Sequence, residues 1–183
     1  MHYSETWDLD SIFPGGIDSP ALKTKLTTIK QQLHEAETTL ANWRADADTP
    51  DYDWFQQIVA ELQTIEAGLA QCEVFVVAIQ SADARDTKAG IVLNQLYQLD
   101  NDQQKLMTQF KKQLVQLSQA TFAKLIAQPE LQSLAFNLTE MRQQGLALLD
   151  SQTEALINNL AVDGFQGWSD HYDTLVSQMQ IKY

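Results

Sequence analysis

The chain has 183 residues, of which 12 are lysine or arginine and 24 are aspartate or glutamate, so its formal net charge is −12. This length predicts one domain, and a composition of 44% hydrophobic and 20% charged residues excludes a disordered chain. So acidic a chain repels phosphate backbones, and no basic stripe is present, so we expect no nucleic-acid partner.

The cellular setting is indicated by what the sequence lacks. Cys72 is the single cysteine, which excludes an internal disulfide framework and suits a reducing compartment. No basic or apolar leader opens the chain. The longest strongly apolar run covers residues 74–79, far short of the ~20 residues that span a bilayer. We therefore expect a soluble cytoplasmic protein with no membrane partner.

The first long helix is predicted to begin at Ser19-Pro20, an N-cap residue followed by a first-turn proline. Apolar residues then recur three or four positions apart, as on one face of an amphipathic helix. They are Leu22, Leu26, Ile29, Leu33, Ala36, Leu40 and Trp43. A polar break with Thr49-Pro50 follows.

Two further long helices have the same apolar spacing. The second has Phe55, Ile58, Leu62, Ile65, Leu69, Cys72, Val76 and Ile79. The third has Val92, Leu96, Leu99, Leu106, Phe110, Leu114 and Leu117, with Gln103 interrupting the stripe. Such seams are typical of helices packed side by side in a bundle.

The last third predicts shorter helices. Residues 122–128 form one helix that Pro129 ends, and residues 131–144 form another with Leu134, Leu138 and Met141 on one face. Residues 151–154, Ser-Gln-Thr-Glu, are a capping box at the start of the next helix. Asp163-Gly164 is predicted to turn the chain before a final helix that carries Phe165, Trp168, Tyr172, Leu175 and Met179.

No segment alternates with the period of a strand, so the predicted fold class is all-α. We expect an elongated antiparallel helical bundle with long helices and a short extended N-terminal arm. The arm covers residues 1–18 and a single helical domain covers residues 19–183.

A metal site is not predicted from the three histidines, His2, His34 and His171. His34-Glu35 begins like the zinc-peptidase motif His-Glu-x-x-His, but Thr38 stands where the second histidine must be. A solvated helix face is the better interpretation of His34.

Other candidate catalytic groups have simpler explanations. Residues 170–173, Asp-His-Tyr-Asp, point around a helix instead of converging, so a solvated or contact face is expected there. Cys72 lies on an apolar seam and is expected to be a buried, inert thiol. Glu61, Glu66 and Glu73 lack the Glu-x-x-His partners of a di-iron bundle. We predict no catalytic, cofactor-binding or metal-binding residue in this chain.

Two groups of aromatic residues remain. Trp7 and Phe13, with Tyr3, lie on an arm too short to form a core, and Trp168 and Tyr172 lie on the final helix. These residues either cap the bundle or contact protein outside this chain, because large surface aromatics are common anchors of protein contacts. Trp7, Phe13, Trp168 and Tyr172 are the candidate contact residues.

Two stretches, the tryptophan-to-glycine motif of residues 7–16 and the ordered residues from Glu154 to Leu175, give the chain a resemblance to oligoendopeptidase F and its relatives, bacterial zinc peptidases related to thimet oligopeptidase. Residues 7–16, Trp-Asp-Leu-Asp-Ser-Ile-Phe-Pro-Gly-Gly, are similar to the family's opening. The stretch from Cys72 to Ala89, with Asp83 and Asp86, is compatible with the family. The end is also similar, in the order Glu154, Leu160, Asp163-Gly164, Trp168, Tyr172 and Leu175. His171 departs from the pattern, which has an apolar residue there.

The resemblance implies the N-terminal, non-catalytic domain of a longer oligopeptide-hydrolysing peptidase. The family's zinc site lies in a C-terminal helical domain, so zinc is expected in that domain and no catalytic residue transfers to this chain. The resemblance makes this domain one wall of the substrate channel, with its own catalytic domain and oligopeptide substrates as partners. The alternative is a stand-alone helical-bundle interaction or adapter protein.

Overall fold

The computed structural model describes residues 7–43, 51–83 and 85–179. These residues contain no strand, and the all-α prediction is confirmed. The helices are α1 (Pro20–Asn42), α2 (Tyr52–Ala82), α3 (Thr87–Gln116), α4 (Gln119–Ile126), α5 (Ala135–Ala147), α6 (Ser151–Ala161) and α7 (Gly167–Ser177). The predicted break at Thr49-Pro50 lies outside the described residues.

Helices α1, α2 and α3 pack against one another in antiparallel order. Trp43 at the end of α1 stacks on Trp54 at the start of α2, with ring centroids 4.7 Å apart. Phe55 at the start of α2 lies 5.7 Å from Phe110 near the end of α3, centroid to centroid. The three predicted stripes form one continuous core, in which Ile79 and Val92 are half-buried.

Gln103 interrupts the α3 stripe but not the core. Its side chain is buried, and its Nε2 donates a 2.6 Å hydrogen bond to Oε2 of Glu66 on α2. A buried amide is tolerated when its hydrogen bonds are made, and this one joins α2 to α3. Asn101, the next inward-facing polar residue, is also buried.

The segment before α1 is not extended along its whole length, since it contains two single turns of 3₁₀ helix at Leu9–Ser11 and Gly16–Asp18. Asp10 Oδ1 accepts a 3.0 Å hydrogen bond from the Gly15 N–H. Gly15 and Gly16 have φ values of 92° and 62°, a region that favours glycine. The arm therefore has a defined local structure of its own.

The predicted start of α1 at Ser19-Pro20 is confirmed, whereas the predicted cap of α6 needs correction. Ser19 occupies the N-cap position of α1, but its side chain makes no capping bond, and its buried Oγ has no partner. At α6 the N-cap is Asp150, whose Oδ1 accepts 3.0 Å bonds from the N–H groups of Gln152 and Thr153. Glu154 reaches back to the Leu149 N–H at 2.8 Å. The capping box is therefore centred one residue earlier than predicted.

Helix α5 packs closely against α3, and α6 and α7 follow it in the chain. Arg142 Nη2 donates a 2.7 Å bond to the carbonyl oxygen of Leu117, and the guanidinium lies 4.7 Å from the Phe122 ring centroid. Of the predicted stripe, Leu138 is buried and Leu134 and Met141 pack against the core. α5 is thereby fixed to both α3 and α4.

One helix, α2, is long and apolar enough to cross a membrane by length and composition alone. Core helices of soluble proteins meet the same criteria. In this structure Ile58, Ile65 and Val76 of α2 are fully enclosed by the bundle.

Candidate functional site

The last two helices form one continuous rod. A π-helical turn at Val162–Gln166 joins α6 to α7, and the Gly167 N–H donates to the carbonyl oxygens of Val162 and Gly164. The prediction that the chain changes direction at Asp163-Gly164 is wrong. Both residues lie inside the π-helical segment, and the helix continues through them into α7. Such turns occur often at functional sites, since the extra residue changes the direction in which side chains point.

The rod presents large apolar side chains to solvent. None of the described side chains in residues 152–179 is buried, although the segment is rich in leucine and aromatic residues. We call the exposed set the C-terminal apolar face; it comprises Leu156, Ile157, Leu160, Phe165, Trp168, Tyr172, Leu175, Val176 and Met179. Trp168 is 71% exposed and Tyr172 is 66% exposed. Contiguous exposed apolar surface of this kind marks interaction sites in soluble proteins.

The opposite side of the rod rests on α3 through polar contacts. Tyr97 OH donates a 3.0 Å hydrogen bond to Asp170 Oδ1. The side-chain amides of Asn101 and Asn159 are hydrogen-bonded at 3.1 Å. These contacts hold one side of the rod against α3, while the side chains of the C-terminal apolar face remain exposed.

An acidic cavity of about 330 Å³ separates part of the rod from the bundle. Glu73 of α2 and Asp100 of α3 line it, opposite Phe165 and Gln166 of the π-helical turn. Burial raises the pKa of both carboxyl groups, and the pKa of Glu73 is raised further by Asp100 and Glu66. Burial and the Asp170 hydrogen bond likewise raise the pKa of Tyr97. The junction between the rod and the bundle therefore contains acidic groups whose charged forms are disfavoured by burial.

Comparison with known proteins adds one finding. Residues 113–181, less than half of the chain, match the family model described as oligopeptidase F. This part of the chain is therefore similar to the N-terminal region of oligopeptidase F. The match covers the similarity predicted for Glu154 to Leu175, and residues 7–16 lie outside it. Searches of curated proteins and of solved structures found no match.

The matched residues, 113–181, contain the whole C-terminal apolar face, including two of the four predicted contact residues, Trp168 and Tyr172. His171, the departure from the family pattern, is exposed, and its ring lies 5.9 Å from the Trp168 ring centroid in an edge-on arrangement. A polar residue there faces solvent and disturbs no packing.

The two contact residues predicted on the arm differ from each other. Phe13 is only 6% exposed, and its ring meets Phe75 of α2 edge-on, with centroids 5.0 Å apart. It is therefore a core residue of this chain, which corrects its assignment as a contact residue. Trp7 is 79% exposed and borders an open apolar groove that includes Val74 and Val77 of α2. Tyr3 lies outside the described residues.

The described residues do not assemble a zinc site of the kind that the sequence resemblance implies for the family. No group of three or more His, Cys, Asp or Glu side chains in residues 7–43, 51–83 and 85–179 could hold a metal ion. His34 is exposed on α1, and Thr38 Oγ1 donates to its carbonyl oxygen at 3.0 Å. His2 lies outside the described residues.

The remaining candidates have structural roles. Cys72 is fully buried, and burial raises the pKa of its thiol, which disfavours the reactive thiolate. Glu61 Oε1 accepts from Gln57 at 2.8 Å on the surface of α2. Sequence reasoning missed two polar residues of α3, Tyr97 and Asn101, whose hydrogen bonds position the rod. The only sequence signal for them was their place next to the apolar stripe of α3.

Proposed function

We propose that this chain is the non-catalytic N-terminal helical domain of an oligopeptide-hydrolysing zinc peptidase, docked on its catalytic domain through the C-terminal apolar face. One observation carries the proposal: the region that matches oligopeptidase F is also the region whose large apolar residues are left exposed by the rest of the described chain. Nonpolar side chains gain stability when they leave water, so such a face favours a partner.

The bundle would form one wall of the substrate channel. Its antiparallel helices move as a rigid body, which suits a wall that limits access to oligopeptides. Within this proposal, residues 1–18 are an arm and residues 19–183 a single helical domain. Zinc and the catalytic residues belong to the partner domain, and we place the protein in the cytoplasm, without nucleic-acid or membrane partners.

Three of the predicted contact residues remain in the proposal. Trp168 and Tyr172 lie in the centre of the face on α7, where large buried aromatics contribute most to an interface. Trp7 lies beside the separate groove on α2 and would make a second, smaller contact.

Reconstitution tests the proposal. This chain is mixed with a separately produced polypeptide that carries the family's His-Glu-x-x-His helix, and complex formation is measured by sedimentation velocity. Hydrolysis of a fluorogenic oligopeptide is measured for each part and for the mixture. We expect no zinc-dependent turnover by this chain alone, a one-to-one complex, and altered peptide hydrolysis in the mixture.

Two variants locate the contact. Trp168→Ala with Tyr172→Ala should abolish the complex. Phe136→Ala on α5 removes an aromatic ring that is 75% exposed but lies outside the face, and it should leave the complex intact. Turnover by this chain alone would overturn the non-catalytic assignment. Absence of a complex would favour a stand-alone adapter that uses the same face for another protein.

A further inference from the structure

The rod has a one-sided charge. Between Arg142 and Lys182 the sequence contains no lysine or arginine, but it contains five carboxylates: Asp150, Glu154, Asp163, Asp170 and Asp173. This stretch, residues 143–181, is about a fifth of the chain. The charged side chains that the rod itself places around the C-terminal apolar face are therefore all carboxylates.

Some of these carboxylates have structural roles and some do not. Asp150 caps α6, and Asp170 accepts the Tyr97 hydrogen bond. Asp163 in the π-helical turn and Asp173 on α7 are exposed, and neither belongs to an ion pair within the described residues. Asp173 follows Tyr172 and precedes Val176 by one turn, so it flanks the apolar face on the helix surface.

A second copy of this chain is a poor occupant of the face. Self-pairing would bring two sets of like charges within a Debye length of each other, about 8 Å at physiological salt. A partner with an apolar surface and a basic border avoids this repulsion. It buries the same side chains, and its positive charges neutralise the carboxylates.

We propose that the C-terminal apolar face binds an amphipathic surface whose apolar strip is bordered by lysine and arginine. This inference rests on the proposed function, since it specifies the chemistry of the partner domain at the same face. Hydrophobic burial holds the complex, and the carboxylates of Asp163 and Asp173 steer the approach and select the partner's charge.

The test uses this whole chain and two synthetic amphipathic helices, one of leucine and lysine and one of leucine and glutamate with the same apolar pattern. A leucine–lysine peptide of scrambled order controls for charge alone. Binding is measured by titration calorimetry at two salt concentrations, and the bound surface is mapped by amide chemical shifts.

We expect the leucine–lysine helix to bind residues 151–179, more tightly than the scrambled peptide, and the leucine–glutamate helix to bind far more weakly. The double change Asp163→Asn and Asp173→Asn should weaken binding about three- to tenfold, since exposed charge pairs each contribute modestly. The matched change Glu35→Gln and Glu37→Gln removes two exposed carboxylates from α1 and should have a smaller effect.

Several results would overturn the inference. Equal weakening by the two double variants would mean that net charge alone attracts the peptide. Equal binding of the two amphipathic helices at the face would refute the claim that the partner surface has a basic border. Docking by apolar contact, and with it the proposed function, would remain possible. Concentration-dependent dimers that bury the face would assign it to a second copy. Because no catalytic domain enters the experiment, failed reconstitution is a separate result.

Discussion

Gly145 of α5 is the position where one added carbon should disturb the fold most. A Cβ built there would lie 2.6 Å from the Lys111 carbonyl oxygen and 2.8 Å from Val115 Cγ2, both on α3. The carbonyl belongs to the α3 backbone, so relief requires α5 to move away from α3. We predict that Gly145→Ala destabilises the protein and displaces the rod that follows α5.

The magnitude follows from two opposing terms. Overpacking a close contact costs about 1–3 kcal/mol. Replacing glycine by alanine inside a helix returns about 0.5–1 kcal/mol. The free energy of unfolding should therefore fall by about 1 kcal/mol, with the packing term dominant.

Gly90 on α3 supplies the matched control. A Cβ there meets no atom within 4 Å, so only the helix term remains. Gly90→Ala should raise the free energy of unfolding by about 0.5–1 kcal/mol. Urea unfolding followed by far-ultraviolet circular dichroism measures both variants. A Gly145→Ala protein as stable as Gly90→Ala would refute the close approach of α5 to α3.

Three further predictions test other parts of the structure. Phe13→Ala should lower the free energy of unfolding, measured in urea, by about 3 kcal/mol, because a buried ring is lost. Trp7→Ala should change it by less than about 0.5 kcal/mol. Equal effects of the two variants would contradict the placement of the arm. Tyr97 has a raised pKa in the folded state, so its contribution to stability is complete below the unfolded pKa of about 10 and is lost as pH rises further. Tyr97→Phe should therefore lose less stability than the parent protein between about pH 9 and 11. Identical pH profiles would contradict the burial of the Tyr97 hydroxyl and its hydrogen bond to Asp170, which together raise this pKa. The Cys72 thiol should react with a disulfide reagent only as fast as the protein unfolds; rapid reaction in the native state would show that α2 is not enclosed.

The bundle was predictable because its pattern is local and strong. The residues from Phe55 to Val76 repeat at helical spacing, and the structure buries them between α1 and α3. Phe122 and Leu138 were likewise placed on the correct short helices. When apolar residues recur at helical spacing and proline or polar residues flank them, the sequence predicts both the helix and the side of it that is buried.

The C-terminal apolar face shows where the same reasoning fails. Leu160, Trp168 and Tyr172 have the spacing of the residues in the core, yet they are exposed. Spacing reports which side of a helix is apolar and carries no information about what covers that side. Among the described residues α1 to α5 already enclose the core, so the last stripe is left exposed.

Local chemistry limited two other predictions. Asp163-Gly164 has the composition of a turn, but the helix continues through it because a π-helical turn absorbs the extra residue. Asp150 and the predicted Ser151 are both common N-cap residues. Asp150 is the cap in the structure, because its side-chain oxygen accepts hydrogen bonds from two N–H groups. Phe13 was misjudged because Phe75, which covers it, lies far away in sequence.

The central claim is that this chain is the non-catalytic domain of an oligopeptidase F enzyme, and reading the source gene beyond the codon for Tyr183 tests it most directly. The account predicts an open reading frame that continues into a helix with the His-Glu-x-x-His motif. A stop codon directly after Tyr183 would contradict the account, and the C-terminal apolar face would then belong to a free-standing adapter.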